Sequence, residues 1–289
     1  MNPSAASAAP EPHDVWVNGV MLHYATWGTY TTPERAVALI HGITSNHLAF
    51  AVLGPALAAA GWYAIAPDLR GRGLSGKPPH GYGIGFHAND LLALCDSLNL
   101  PTITVVGHSL GAFIAMYLGA LYGPRMGKLV FVDGGGRIPP DAYDTVASSV
   151  KRLENTYPSL DAFIDSLRAA APFTWDAYWD AYYRYDAEVL PDGTVRSRMP
   201  LAAYMEEVGA NATLNPDVLL PFIKAPTLIT RASVGTKGPD SGFILTPEEA
   251  RRLVSTLPDC RTVDIAGANH YTITTTPQFV QEVVGFLRG

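Results

Sequence analysis

The five-residue stretch GHSLG at residues 107–111 decides the fold of this chain. It fits the pattern Gly-x-Ser-x-Gly and lies between a short apolar run, residues 103–106, and a helical pattern, residues 112–122. A serine between a strand and a helix needs a tight turn, and glycines two residues away on either side remove Cβ atoms that would collide there. The stretch therefore predicts a Ser109 hydroxyl exposed at a helix N-terminus, where it can act as a nucleophile.

Strand-like and helix-like patterns alternate on both sides of this turn. Alternating apolar residues flank Asn18-Gly19, which predicts an antiparallel hairpin of residues 13–17 and 20–27. A continuous apolar run predicts a buried parallel strand at residues 36–40, and further strands are predicted at residues 63–66, 128–132, 226–230 and 261–265. Helical patterns cover residues 50–60, 86–98, 247–256 and 277–287. This alternation predicts an α/β protein with a mostly parallel central sheet flanked by helices.

The alternation stops between residues 137 and 221, where no run of the parallel-strand kind occurs. Helical patterns recur there instead, at residues 143–157, 160–170 and 175–185. We therefore expect an inserted helical cap, or lid, between two halves of one sheet. The predicted organisation is a disordered N-terminal tail (1–12), a core domain (13–136 and 222–289) and a helical cap (137–221).

The composition excludes several classes of protein. Of the 289 residues, 48% are hydrophobic and 16% are charged, which is typical of a soluble enzyme. The net charge of −6 argues against a nucleic-acid partner, and the apolar runs are too short to span a membrane. Cys95 and Cys260 are too few for a disulfide framework or a metal site. With no signal peptide at the N-terminus, we expect a cytoplasmic protein, either a monomer or a homodimer.

Four motifs occur in an order that resembles the α/β-hydrolase superfamily, and in particular its cap-bearing, serine esterase-like branch. They are His41-Gly42 after a predicted strand, the loop DLRGRGLS at residues 68–75, the GHSLG turn, and Asn269-His270 after the last predicted strand. The resemblance implies an α/β-hydrolase fold with a helical cap over almost the whole chain. A serine at position 109 disfavours the dehalogenases and epoxide hydrolases of this superfamily, which carry aspartate there.

A serine hydroxyl needs a base to accept its proton, and His270 is the best candidate. Its turn after the last strand places the ring at the same edge of the sheet as Ser109. The other histidines lie in tail, hairpin, loop or elbow positions without that geometry: His13, His23, His47, His80, His87 and His108, with His41 in the turn assigned to the oxyanion.

The third member of a triad must be a carboxylate that orients the imidazole. The resemblance favours Asp240, because it lies in the loop after the strand at residues 226–230, the usual position in the family. Asp133 ends the strand after the nucleophile helix, a position that some members use, and it is the alternative. We favour Asp240, and expect the other aspartate to be a turn residue.

The resemblance also implies two backbone donors for an oxyanion, the N–H groups of Ile43 and Leu110. Leu110 is well placed because it starts a helix, whose N-terminus favours an anion. Aromatic residues crowd one face of a predicted cap helix, and we expect them mainly to pack the cap on the sheet, with pocket lining as the alternative: Trp175, Tyr178, Trp179 and Tyr182.

Together these features predict a serine hydrolase that cleaves a carboxylic ester or lactone through an acyl-enzyme on Ser109, with His270 as the general base. The partner is a small-molecule ester with an apolar acyl or alcohol part, and no cofactor, nucleotide or metal is implied. Two alternatives remain open. One is a carbon–carbon bond hydrolase that uses the same residues, and the other is a hydrolase-derived ligand receptor with little turnover.

Overall fold

The computed structural model describes residues 9–142 and 150–289. Its strands are β1 (Glu11–Val17), β2 (Val20–Trp27), β3 (Ala36–Ile40), β4 (Tyr63–Pro67), β5 (Ile103–His108), β6 (Met126–Val132), β7 (Ala187–Val189), β8 (Val195–Ser197), β9 (Thr227–Ala232) and β10 (Cys260–Ile265). Eight of them form one sheet in the order β1-β2-β4-β3-β5-β6-β9-β10. Six neighbouring strands of this sheet are parallel to one another, namely β4, β3, β5, β6, β9 and β10. This confirms the predicted mostly parallel sheet.

Helices cover both faces of this sheet and also fill the segment between β6 and β9. The α-helices are α1 (Leu53–Ala59), α2 (Ile84–Ser97), α3 (Leu110–Leu121), α4 (Leu160–Ala170), α5 (Ala177–Asp186), α6 (Leu201–Asn211), α7 (Pro216–Leu219), α8 (Pro247–Thr256) and α9 (Pro277–Arg288). Residues 150–154 are also helical. Short 3-10 helices lie at Pro33–Arg35, His47–Phe50, Gly123–Arg125, Pro140–Ala142, Leu220–Phe222 and Ile273–Thr275. Within the described ranges, no helix has the length and apolar character needed to cross a membrane.

The N-terminal hairpin forms as predicted. Asn18 and Gly19 both have positive φ angles, 48° and 72°, as a two-residue turn between twisted antiparallel strands requires. The predicted disordered tail, residues 1–12, is too long at its C-terminal end. Glu11 and Pro12 already pair with β2 as part of β1, while residues 1–8 lie outside the described part of the chain.

The buried strands divide their side chains between two apolar cores. In β3 every residue is fully buried: Ala36, Ala38 and Ile40 face the core under α2, α3 and α8, whereas Val37 and Leu39 face the core under α1 and α9. A strand covered on both faces needs no polar positions, which is why its sequence is a continuous apolar run. Parallel pairing places the carboxyl ends of β5, β6, β9 and β10 at one edge of the sheet.

Residues 137–221, which we call the insertion, lie between β6 and β9 in the chain. They contain α4 to α7 and a two-stranded hairpin, β7 paired with β8, that the sequence did not predict. Strands of three residues are too short for a period of two to be recognised, and the Gly193 turn between them (φ 84°) was the only signal. The predicted helix at residues 143–157 lies partly outside the described residues. The division into core and cap at residues 137 and 221 stays a prediction.

A buried ion-pair cluster joins the insertion to the core. Glu207 of α6 accepts a hydrogen bond from Arg72 Nη2 at 2.9 Å and from His87 Nε2 at 2.5 Å, and all three side chains are fully buried. Burial alone would raise the pKa of Glu207, but the neighbouring His87 and Arg72 lower it to about 2. The Arg72 Nε atom also donates to the carbonyl of Ile43 at 2.9 Å. Helix α6 is thereby connected to the loop that follows β3.

Candidate active site

Ser109 lies in the tight turn between β5 and α3. Its backbone angles are φ 56° and ψ −116°, a strained conformation for a residue other than glycine. The flanking glycines are required by space: a Cβ on Gly107 would lie 2.0 Å from the Gly111 carbonyl oxygen, and one on Gly111 would lie 2.0 Å from the Ile40 carbonyl oxygen. The steric reason predicted for the two glycines is therefore confirmed.

His270 follows β10 and contacts both Ser109 and Asp133. Its Nε2 atom lies 3.1 Å from Ser109 Oγ, and its Nδ1 atom lies 2.7 Å from Asp133 Oδ2. Asp133 follows β6 and is almost completely buried, and its second oxygen accepts a hydrogen bond from the Ala232 amide at 3.0 Å. The three side chains form a continuous serine–histidine–carboxylate chain, the arrangement that activates a hydroxyl nucleophile.

The preference for Asp240 as the carboxylate beside His270 is wrong. Asp240 is exposed in the loop after β9, where bridges between Gly235, Gly238 and Ser241 close a turn of their own. The Nδ1 atom of His270 is instead paired with Asp133, the alternative considered from the sequence. The position of Asp240 in the chain predicts an approach to His270, but the pairing within the loop after β9 keeps Asp240 at the surface.

A glycine next to Asp133 was a sequence signal for its position that went unused. Gly134 lies so close to the nucleophile turn that an added Cβ would approach the Ser109 carbonyl oxygen to 2.8 Å. The aspartate itself has φ 44°, which is unfavourable for most residues but tolerated by aspartate. A strand end of the form Asp-Gly-Gly beside a serine turn thus marks a close approach of two backbones.

Two backbone amides lie beside Ser109 in positions suited to an oxyanion. Leu110 is the first residue of α3, so its N–H has no carbonyl four residues earlier in the helix to bond to. On the other side, a Cβ on Gly42 would lie only 3.2 Å from Ser109 Cβ, so the peptide that joins Gly42 to Ile43 borders the nucleophile. The assignment of Ile43 and Leu110 as oxyanion donors stays a prediction.

His41 fixes the orientation of that peptide. Its Nδ1 atom donates to the Gly42 carbonyl at 2.8 Å, and its Nε2 atom accepts a hydrogen bond from the Leu69 amide at 3.0 Å. Burial lowers the pKa of His41 to about 3, so the ring is neutral and keeps this one tautomer. Because the N–H and C=O of a trans peptide point in opposite directions, holding the Gly42 carbonyl also aims the Ile43 amide.

His108 supports His270 through the His270 backbone carbonyl, a role that the sequence did not predict. Its Nε2 atom donates to the His270 carbonyl at 3.0 Å, and the two rings lie 4.7 Å apart. Burial, followed by the nearby His270, lowers the pKa of His108 well below its ordinary value. The ring is therefore neutral and braces the turn that carries His270. Its position directly before Ser109 on the strand end was the available signal.

A cavity of about 530 Å³ lies above Ser109 between the core and the insertion. Tyr178, Trp179 and Tyr182 line it, as the pocket alternative proposed, and Trp179 and Tyr182 are also buried in the core under α1 and α9. Trp175 does not line the cavity but stacks on Tyr183 with ring centroids 5.2 Å apart. Four further aromatic side chains also line the cavity: Tyr157, Phe173, Tyr183 and Tyr271.

One group of potential metal ligands is present in the described part of the chain, formed by His23, His47 and Asp68. Both oxygens of Asp68 are already hydrogen-bonded. One accepts from the backbone amide and the Nδ1 atom of His47, and the other accepts from the Leu74 amide and the Tyr185 hydroxyl at 2.6 Å. The donor set fits a structural role better than a metal site, because the carboxylate connects α5 to the core.

Comparison with known proteins agrees with this geometry. The family described as alpha/beta hydrolase fold matches residues 35–275, so this chain belongs to that family, as the resemblance of its motifs implied. The 2-(acetamidomethylene)succinate hydrolase of Mesorhizobium japonicum is 27% identical over 248 residues, which are 84% of each protein. A crystal structure of E-2-(acetamidomethylene)succinate hydrolase superposes with a TM-score of 0.83 at 22% identity, covering 97% of this chain and all of that one.

A further relative is similar over a shorter stretch. An uncharacterized protein of Mycobacterium tuberculosis is 37% identical over 101 residues, which are 35% of this chain and 29% of that protein. This chain therefore matches less than a third of that relative's length. The family match thus gives the fold family of this chain, and the hydrolase name belongs to its Mesorhizobium relative.

Proposed function

We propose that this protein is a serine hydrolase that cleaves a carboxylic ester or lactone through an acyl-enzyme on Ser109. The observation that carries the proposal is the hydrogen-bonded chain from Ser109 Oγ through the His270 ring to Asp133. A hydroxyl at the N-terminus of α3, with an imidazole nitrogen at 3.1 Å, has the partner that acyl transfer requires.

In the first half-reaction, Ser109 Oγ attacks the carbonyl carbon of the substrate while His270 Nε2 accepts the hydroxyl proton. The carbonyl oxygen becomes an oxyanion, which the amides of Leu110 and Ile43 stabilise; such donors contribute about 3 to 4 kcal/mol each. When the tetrahedral intermediate collapses, the bond to the alcohol breaks. His270 transfers its proton to the departing oxygen, and the acyl group remains on Ser109 as an ester.

In the second half-reaction, water attacks the acyl carbon and His270 Nε2 accepts a proton from that water. Collapse of the second intermediate breaks the bond to Ser109 Oγ, which regains a proton from His270, and the carboxylic acid leaves. Asp133 keeps its hydrogen bond to His270 Nδ1 throughout and stabilises the imidazolium that forms twice in each cycle. Its burial and its bond to the Ala232 amide hold it in place for that purpose.

A second candidate activity uses the same residues on a different acyl compound. The relative from Mesorhizobium is named for a substrate that carries an acetamido group, so amide-type and related bonds belong in any substrate screen. Cleavage of an activated carbon–carbon bond, or ligand binding with little turnover, would also be compatible with an intact triad. These candidates differ in their products and in their turnover number, and not in the residues that they need.

An ester panel tests the proposal. We expect the wild-type protein to turn over p-nitrophenyl esters many times per molecule, with a preference among acyl chains from acetate upward set by the aromatic cavity. Ser109→Ala should lower kcat by about 10⁴ or more while leaving the thermal melting curve unchanged. Substantial activity in a clean Ser109→Ala preparation would exclude the acyl-enzyme. Binding of esters without turnover would favour the receptor, and release of acetate from N-acetyl enamines alone would favour the amide activity.

A further inference from the structure

The turn that follows β3, residues 42–45, is held in place at each of its residues, and we call it the β3 loop. The Ser45 amide donates to the Gly42 carbonyl at 3.2 Å, which closes the turn. Three consecutive carbonyl groups, those of Gly42, Ile43 and Thr44, accept hydrogen bonds from buried side chains, and so does the Ser45 hydroxyl oxygen. Connecting loops are usually among the more mobile parts of a protein, so a loop that is fixed at every residue is an exception.

Arg152 is one of two insertion residues that hold the β3 loop. It lies in the helical residues 150–154, is 7% exposed, and donates from Nη2 to the Thr44 carbonyl. Its Nε atom donates to Asp186, the last residue of α5, at 3.1 Å. Ser197 of β8 donates to the same carboxylate oxygen at 2.8 Å. Arg152 thus connects a hydrogen-bond network within the insertion to the β3 loop.

Tyr182 of α5 is the second insertion residue that holds the β3 loop. Its hydroxyl donates to Ser45 Oγ at 2.7 Å, and Ser45 Oγ donates in turn to the Asn46 carbonyl at 3.4 Å. Burial raises the pKa of Tyr182, so the hydroxyl keeps its proton and remains a donor. The ring packs edge-on against Trp179 in the core under α1 and α9. A buried tyrosine hydroxyl normally has a partner, and here the partner belongs to the β3 loop.

The groups held in this way adjoin the proposed oxyanion donor. The Gly42 carbonyl, which His41 holds, and the Ile43 amide belong to one peptide, and the Ile43 carbonyl, which Arg72 holds at 2.9 Å, belongs to the next. Arg72 is paired with Glu207 of α6, again a residue of the insertion. An oxyanion donor must be aimed before the reaction begins, and a misplacement of about 1 Å can cost about 100-fold in rate.

We propose that Tyr182 and Arg152 are positioning residues, which hold the β3 loop and thereby aim the Ile43 amide at the oxyanion. The docked insertion is then part of the catalytic machinery, because the amide is aimed only while α5 is seated on the core. Neither residue needs to contact the substrate for this role. The inference rests on the proposed serine hydrolase activity and assigns part of its transition-state stabilisation to the insertion.

The hydroxyl groups of Tyr182 and Ser45 allow a precise test, because each can be removed by the loss of one oxygen atom. Tyr182→Phe and Ser45→Ala should each lower kcat for p-nitrophenyl esters by about tenfold and leave KM within about twofold. The double variant should be no slower than the slower single variant, because both changes break the same hydrogen bond. A Tyr182 hydroxyl that contacted the substrate itself would give additive losses.

A transition-state analogue reports on the oxyanion directly. A trifluoromethyl ketone forms a hemiketal with Ser109, and its negatively charged oxygen takes the position of the oxyanion. We expect its inhibition constant to rise in Tyr182→Phe by the same factor by which kcat/KM falls. A change in packing alone would shift the melting curve without this parallel. An unchanged inhibition constant in a variant with lowered kcat would contradict the positioning role.

Glu206→Ala is the matched control, because Glu206 also connects the insertion to the core. It lies in α6, and its Oε1 atom accepts hydrogen bonds from the Gly81 and Tyr82 amides at 2.7 and 3.1 Å. Among the described residues that line the cavity, Glu206 does not occur. We expect kcat and the inhibition constant of the ketone to stay within about twofold of the wild-type values, because this contact does not involve the β3 loop.

The possible outcomes separate this inference from the proposed function. If Tyr182→Phe keeps the wild-type kcat, if the losses of the two single variants add, or if Glu206→Ala is as slow as Tyr182→Phe, the positioning role is wrong while the serine hydrolase stands. If the wild type neither cleaves esters nor is acylated at Ser109, the proposed function is wrong and this inference fails with it.

Discussion

Ser109 and Asp133 share an unusual backbone conformation. Four residues other than glycine have positive φ in the described ranges, and two of them, Asn18 and Asn99, are asparagines, for which this region is common. The other two are the nucleophile candidate and the carboxylate beside His270. Strain of this kind persists only where the surroundings over-determine it, and it concentrates at functional sites. Backbone geometry therefore singles out the same two residues as the hydrogen bonds do.

Substitution of the two aspartates distinguishes their roles. Asp133→Asn should lower kcat by about 10³- to 10⁴-fold, because an amide cannot stabilise the imidazolium and favours the wrong tautomer of His270. Asp240→Asn should leave kcat within about twofold, because Asp240 is exposed and away from the histidine. Ester hydrolysis under saturating substrate measures both. Equal activity of Asp133→Asn and wild type would refute the assigned triad, provided that thermal melts show both variants folded.

Much of the site was predictable at this scale, and the exceptions have physical causes. The positions of Ser109 and His270 followed from short patterns, because a glycine-flanked turn and a strand-end turn are local features. Which aspartate pairs with His270 depends on which of two loops approaches the histidine in space. Backbone pairing within the loop at residues 233–246 keeps Asp240 away, and this pairing cannot be read from a local pattern. The support of His270 by His108 is a contact across 162 residues, for which no local pattern exists.

At the scale of single elements, α3 can pack against β3 only because Gly111 has no side chain. Gly111→Ala places a Cβ 2.0 Å from the Ile40 carbonyl oxygen, so α3 must move away from β3. We expect loss of ester hydrolysis together with destabilisation by about 2 kcal/mol or more. Gly285→Ala in α9 is the matched control, since its Cβ meets nothing and should stabilise by about 0.5 kcal/mol. Urea unfolding measures both, and a fully active, stable Gly111→Ala would contradict the packing.

The attachment of α6 to the core depends on Glu207. Glu207→Gln leaves the buried Arg72 charge without its counter-ion, which should cost about 3 to 5 kcal/mol of unfolding free energy. Because Arg72 also bonds to the Ile43 carbonyl, kcat should fall more than KM rises. Glu248→Gln, in the exposed pair with Arg251, is the control and should change neither quantity noticeably. An unaltered unfolding free energy for Glu207→Gln would show that the cluster does not hold the insertion.

The elements themselves differ in how well the sequence predicts them. The parallel strands and their flanking helices were predictable because the strand patterns extend over four residues or more and the helical periods over ten or more. The hairpin of β7 and β8 has strands of three residues each, and Val195 also forms a bridge to Tyr157 and packs on Phe163, contacts within the insertion. The cluster of Arg72, His87 and Glu207 likewise joins residues from three separate segments of the chain, so no local sequence pattern predicts it.

For the molecule as a whole, three buried neutral histidines make stability depend on pH. Burial lowers the pKa values of His41, His87 and His108 below their ordinary value of 6.5, and that of His41 to about 3. Below pH 6.5 the unfolded chain binds protons that the native state does not bind, so the unfolding free energy must fall as pH is lowered. For His41 alone, the loss between pH 6.5 and pH 5 is about 2 kcal/mol.

Urea unfolding at pH 8, 6.5, 5.5 and 5 measures this dependence. The unfolding free energy should be constant above pH 6.5 as far as these groups are concerned and should fall below it. His87→Gln should flatten the dependence, because one buried neutral histidine is removed, whereas His80→Gln should not, because His80 is exposed. A stability that is unchanged or increased at pH 5 would mean that these rings are already protonated in the folded protein.

The central claim is that Ser109, activated by His270 and Asp133, is a covalent nucleophile. Reaction with a fluorophosphonate, followed by mass spectrometry of the digested protein, tests it most directly. We predict one phosphonyl group per chain on the peptide that contains Ser109, abolished in Ser109→Ala and strongly slowed in His270→Ala. A folded wild-type protein that remains unlabelled, or that is labelled at another residue with Ser109 untouched, would contradict the account.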